Sequence, residues 1–241
     1  MEHDHIVKSF DDDLNNINSI IAEMGGLAER QFADAIEAMQ NRNADMARDV
    51  IKRDRKIDEL ELALDELAIR TLALRQPMAD DLRAVIVALK MSANLERIGD
   101  YAKNIAKRTV TLAEMEPVGS AGASIARMAR QVQGMIKSSL DAYATQNLEL
   151  ADDVRLRDEE VDQLHTSLFR ELLTYMMEDT RNITACTHLL FMAKNVERIG
   201  DHVTSIAENI HFLVSGELPP EERPKGDDSS RTIVAAPDQE T

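Results

Sequence analysis

Seven apolar positions, Ala84, Ala88, Met91, Leu95, Ile98, Ala102 and Ile105, step along the chain by fours and threes. The same pattern returns 101 positions later as Ala185, Leu189, Met192, Val196, Ile199, Val203 and Ile206. Such steps bring side chains back to one side of an α-helix, so each set is an apolar stripe about six turns long. A helix with one water-averse side is marginal alone and is stabilised by packing that side against other helices. Val50, Ile57, Leu60, Leu64 and Leu67 form a third stripe with the same requirement.

Helical periodicity runs almost without a break from about His5 to Gly216, and no strand-like alternation interrupts it. It predicts six helices, at about 5–41, 43–75, 79–114, 119–145, 147–178 and 181–215. The separators QNRN, RQPM, EPVGSAG, TQN and EDTRN all carry turn or capping residues. Links this short make consecutive long helices antiparallel neighbours. Aromatic residues form only 3% of the chain and Trp is absent, which suits long helices better than sandwiches or barrels.

The stripes belong to a larger duplication. RDRKIDELE, from Arg53, matches RDEEVDQLH, from Arg157, at an offset of 104. NLERIGD, from Asn94, matches NVERIGD, from Asn195, at 101, and a small indel in the intervening turn accounts for the difference. The expected architecture is all-α: six long helices in two tandem, repeat-related three-helix bundles, 1–116 and 117–216. The remaining segment, 217–241, is rich in Pro, Ser and charge and reads as a disordered tail.

A formal charge of −16 argues against a nucleic-acid partner, whose phosphates demand Lys and Arg, and suits cations or basic protein patches. It also serves solubility. Cys186 is the single cysteine, so it forms no internal disulfide, and its apolar neighbours mark it as a small core residue. The start, MEHDHIVKSFDDD, lacks the order of a signal peptide, and the longest apolar run, AVIVAL from Ala84, is far shorter than a membrane span of roughly 20 residues. A soluble, cytoplasmic protein is expected.

The duplicated polar detail carries the chemistry. Glu96 and Asp100 lie four apart, one helical turn, as do Asp54 and Asp58, Asp158 and Asp162, and Glu197 and Asp201. The first two pairs are equidistant from Pro77, and the last two from the Asp179–Thr180 turn. In antiparallel hairpins each set of four carboxylates therefore comes level, about 30 Å from its loop. Like charges so placed repel unless something positive stands among them. One candidate is a divalent or trivalent cation such as Mg, Ca, Mn, Fe or Zn. The other is a network with the neighbouring arginines Arg53, Arg97, Arg157 and Arg198. At 100° per residue Glu96 and Asp100 point away from the Leu95/Ile98 seam, which places such ions on an outer surface. Gly99 and Gly200 stand inside these helices at a cost near 1 kcal/mol, leaving room for a neighbouring helix or an ion. His202 is a possible extra ligand, although its counterpart is Tyr101. A single Glu208-x-x-His211 falls short of a ferritin-type di-iron centre.

The paired ERIGD segments, RQPMADDLR, TYMMEDTR and GGLAERQFADAIEAM together resemble the PhoU family over about residues 5–216. The resemblance implies two three-helix bundles, a homodimer, and Zn, Fe, Mn or Mg at the acidic motifs. Asp54, Asp58, Glu96 and Asp100 would serve one site, and Asp158, Asp162, Glu197 and Asp201 the other. It further implies a non-enzymatic adaptor between the ATPase subunit of a phosphate ABC transporter and a phosphate-sensing histidine kinase. Such an adaptor holds the phosphate-starvation response off when phosphate is plentiful and reaches the membrane only through its partners. Two rival expectations stand beside this one: a metal-dependent hydrolase or oxidase using the acidic clusters, and a metal-free helical adaptor.

Overall fold

The computed structural model describes residues 2–219, with side chains from Phe10 onward. The tail expected at 217–241 thus lies almost wholly outside the described residues. Helices α1 (Glu2–Gln40), α2 (Ala44–Arg53), α3 (Arg55–Arg75), α4 (Asp80–Leu112), α5 (Ala121–Thr145), α6 (Leu148–Glu178) and α7 (Ile183–Ser215) follow in chain order, and a short 3-10 turn, Thr180–Asn182, precedes α7. The expected second helix is interrupted once, at Asp54. Its backbone stays helical (φ −51°, ψ −41°), and its carbonyl accepts from the Ile57 amide, three residues on, at 2.9 Å. The interruption is one tightened turn, so α2 and α3 act as one rod. Counted this way there are six long helices in two repeat-related three-helix bundles, α1 to α4 and α5 to α7.

The boundaries have local causes. Asn43 accepts at its side chain from the amides of Asp45 and Met46, and Asn147 from that of Leu150, so each asparagine closes the open start of a helix. Gln76, Gln146 and Gly216 end α3, α5 and α7 in the left-handed conformation, with φ of 49°, 51° and 80°. Met91, Leu95, Ile98, Ala102 and Ile105 are fully buried on α4, as are Met192, Val196, Ile199 and Val203 on α7; Ala84 alone of the two stripes is only half-buried. Each large apolar side chain enclosed this way contributes about 1.5–3 kcal/mol.

The bundles meet chiefly along α4 and α7. Arg83 and Lys90 lie over the Phe212 ring, Asn94 bonds His202 at 2.8 Å, and Arg108 lies 4.2 Å from the centre of the Phe191 ring. Residues early in α4 thus face residues late in α7, and the two helices run antiparallel. Tyr101 and His202 occupy equivalent repeat positions, and their rings approach each other at 5.6 Å. The local twofold relating the bundles passes between them. His202 is used in this contact, which accounts for a histidine with an aromatic counterpart.

Candidate functional site

The first acidic cluster forms where the tightened turn at Asp54 faces α4. Asp54 is buried, with 3% of its surface exposed. Gln31 of α1 donates through Nε2 to Asp54 Oδ1 at 2.7 Å and to the Gly99 carbonyl at 3.1 Å, tying three helices at one point. The ion-pairing partner is a lysine. Lys103, one turn beyond Asp100, donates to Asp100 Oδ1 at 2.6 Å and also to Asp54 Oδ2. Burial works to lower the Lys103 pKa, but bonds to the two carboxylates outweigh it and hold it above its ordinary value. Asp100 answers in kind: burial would raise it, yet Lys103 keeps it low.

Glu96 lies one turn before Asp100 on α4. Burial first, then the charge and hydrogen bond of Asp100, push its pKa up to about 7. Asp58 is raised by burial and by Asp54, with Lys103 pulling the other way. Glu61, a turn beyond Asp58 and absent from the expected set, has its pKa raised by burial first and then by the charges of Asp65 and Asp58. The folded protein binds the Glu96 proton more tightly than the unfolded chain does. The stability tied to that proton is present below the unfolded pKa of 4.5 and is lost as pH climbs to about 7. In chelator, Glu96→Gln should therefore show a flatter fall of Tm than the parent between about pH 5 and 8. Parallel curves would show that Glu96 holds no such proton.

The second cluster is more deeply enclosed. Asp158, Asp162 and Glu197 are 3%, 5% and 6% exposed, and Asp201 is half-buried. Lys194 donates to Glu197 Oε1 at 2.8 Å, while Oε2 is buried without a hydrogen-bond partner. Burial raises the Glu197 pKa, Lys194 opposes it, and Asp201 and Asp162 raise it further. His165, buried at the position equivalent to Glu61, lies one turn past Asp162.

The expected outer-surface placement is corrected in part: Asp58, Glu96, Asp100 and Asp201 are only half-buried, but the other four carboxylates lie deeper. Asp54, Asp158, Asp162 and Glu197 are buried between helices because α2–α3 and α6 cover the flank of α4 and α7 that carries them. Gly99 and Gly200 permit this. A Cβ on Gly99 would stand 2.9 Å from Ile57 Cδ1 and 3.5 Å from Asp54 Oδ1, and one on Gly200 would stand 3.3 Å from Asp158 Oδ1.

The arginines contribute little to neutralising the clusters. Arg53 bonds Asp34, Arg157 reaches Asp153, and Arg198 lies over Tyr101. Of these four arginines Arg97 is the one placed beside a cluster, at 3.6 Å from Glu96 and 3.7 Å from Asp100. The missed residues had a simple signal: Lys103 follows Asp100 by three positions and Lys194 precedes Glu197 by three, each on the same helix side.

As the side chains stand, no three His, Cys, Asp or Glu among the described residues are gathered to hold one ion. Lys103 pairs with Asp54 and Asp100, and Lys194 with Glu197. The donor set is nonetheless the all-oxygen kind that hard cations take, and Glu197 Oε2 is a buried carboxylate oxygen without a hydrogen-bond partner. The residues fit a metal ion on those two counts. A cavity of about 300 Å³ beneath the 113–120 connection shares no lining residue with either cluster.

With this geometry in place, comparison with known proteins places it among relatives. The PhoU domain matches residues 21–109 and again 125–210. The chain is 51% identical over 224 residues to the phosphate-specific transport system accessory protein PhoU homolog of Caulobacter vibrioides, covering 93% of this chain and 97% of that one. It is 47% identical over 238 residues to the homolog so named in Rhizobium meliloti, covering 99% and 100%. The crystal structure of PhoU from Pseudomonas aeruginosa superposes with a TM-score of 0.84 at 38% identity, over 86% of this chain and all of that one. The phosphate transport system regulatory protein PhoU from Streptococcus pneumoniae gives 0.81 at 27%, over 88% of this chain and all of that one.

Proposed function

The chain belongs to the PhoU family, and from that premise we propose that it regulates phosphate transport as an accessory protein, restraining the phosphate-starvation response while phosphate is abundant. It does so as an adaptor between the ATPase subunit of a phosphate ABC transporter and a phosphate-sensing histidine kinase, working in the cytoplasm as a homodimer. The observation that carries this reading is the match of both repeats, over nearly the whole chain, to relatives named for that accessory role. No helix among the described residues is long and apolar enough to cross a membrane, and the same proposal places contact with the transporter at protein surfaces.

The same reading makes the chain a regulator rather than an enzyme, and the relatives' names support that. Its acidic clusters hold divalent or trivalent ions, Zn, Fe, Mn or Mg. Asp54, Asp58, Glu96 and Asp100 hold one group of ions, and Asp158, Asp162, Glu197 and Asp201 the other. A bound ion would supply positive charge to carboxylates from facing helices, those of α2–α3 with α4 and those of α6 with α7. The chain's own part is to present oxygens and to exclude water by burial of Asp54, Asp158, Asp162 and Glu197.

Deleting the gene should raise a phosphate-starvation reporter in phosphate-rich medium, and the full chain should restore repression. An unchanged reporter would defeat the regulatory reading. Elemental analysis of purified protein tests the metal separately: absence of bound metal, with melting indifferent to chelator and to added Mn, would leave the metal-free adaptor.

A further inference from the structure

The two clusters are duplicates by sequence, yet their surroundings differ. Next to Gly99 stand Ile57, Asp54 and Gln31; next to Gly200 stand Val161, Asp158 and Val132. Valine thus replaces the glutamine that donates to Asp54. At the position of Lys103 the second repeat has Thr204, fully buried, whose hydroxyl donates back to the Gly200 carbonyl at 3.0 Å. Lys103 brings an ammonium group between carboxylates of two helices, Asp54 before α3 and Asp100 on α4.

The second cluster has its own lysine, on the opposite flank. Lys194 precedes Glu197 rather than following Asp201, its side chain is 38% exposed against 21% for Lys103, and it leaves Glu197 Oε2 buried without a partner.

We propose that Lys103 is a tethered counter-cation competing with metal at the first cluster, so that the second cluster takes the first ion and the first fills only as Lys103 withdraws. The inference rests on the metal reading above. A tethered ammonium competes at an effective concentration on the order of millimolar or more, and an entering ion must displace it from both carboxylates. At the second cluster the Lys194 pair engages Glu197 through Oε1 only, so a cation can reach Oε2 without displacing a hydrogen bond there. The buried pair also stabilises the metal-free fold, since removing one partner strands the other's charge. Removing Lys103 should thus act with opposite signs on folding and on metal binding, and a residue of merely structural importance would not do that.

The test is a titration of the full chain with Mn²⁺, counting free ion by electron paramagnetic resonance, alongside melting in chelator. The parent should show two classes of site differing at least tenfold in affinity, and Glu197→Gln should remove or weaken the tight class. Lys103→Met should tighten the weak class at least tenfold while lowering the metal-free Tm. Lys103→Gln keeps hydrogen-bonding capacity without the charge. It should tighten that class too, which guards against a methionine variant that folds poorly. Equal classes in the parent, or a weak class indifferent to both lysine variants, would overturn the proposal while leaving metal binding intact. No Mn²⁺ bound by any of these proteins would overturn the proposal and the metal reading together.

Discussion

Replacing Phe32 with alanine is expected to destabilise the protein by about 3–5 kcal/mol, lowering Tm by roughly 10 °C. Phe32 has no exposed surface and leads the fully buried side chains by volume. Its loss combines the transfer cost of the ring with a cavity that three long, mutually braced helices cannot fill. The effect should extend to the first cluster, because the adjacent Gln31 donates to Asp54 and to the Gly99 carbonyl. Urea unfolding provides the measurement: the midpoint should fall with the slope unchanged. Leu62, 64% exposed on α3, is the control, and Leu62→Ala should stay within about 0.5 kcal/mol of the parent. A Phe32→Ala loss below about 1 kcal/mol would mean that α1 does not seat as described.

Phe32 also marks how far the sequence could be read. The stripes on α2–α3, α4 and α7 announce helices because four-three spacing has only one common regular solution, and the Asn-containing breaks announce their ends. All six long helices appear within a few residues of expectation. Level carboxylates follow from the same arithmetic, and Lys103 bridging Asp54 and Asp100 shows two of them adjacent.

The angle at which two rods meet is another matter. Periodicity says that Glu96 and Asp100 share a side of α4. It does not say that α2–α3 will roll over that side and bury Asp54. The same gap hid the α4–α7 seam: Tyr101 and His202 look unrelated until the local twofold brings them together. The arginines flanking the acidic motifs were the obvious counter-charges by sequence distance. Helix geometry selects residues three away on the same side, and these are Lys103 and Lys194.

The reversed burden at Glu197 gives the second large effect. Glu197→Gln should weaken metal binding at the second cluster roughly tenfold or more, since even the loss of a group that merely supports a ligand costs 10–100-fold. The same change should raise the Tm of the metal-free protein. Glu197 is 6% exposed, burial lifts its pKa, and Asp162 and Asp201 add to the lift. Its folded pKa lies above the unfolded value, so its stabilising contribution is present at low pH and lost as pH rises through the folded pKa. Glutamine carries no charge to desolvate and brings an amide donor to a neighbourhood of carboxylates. Calorimetric melting with chelator and with excess Mn²⁺ reads both effects. With chelator the variant should melt higher than the parent, and with metal the order should reverse. A variant that melts lower in both conditions would assign Glu197 to the fold alone, its carboxylate held by Lys194 rather than kept for a cation.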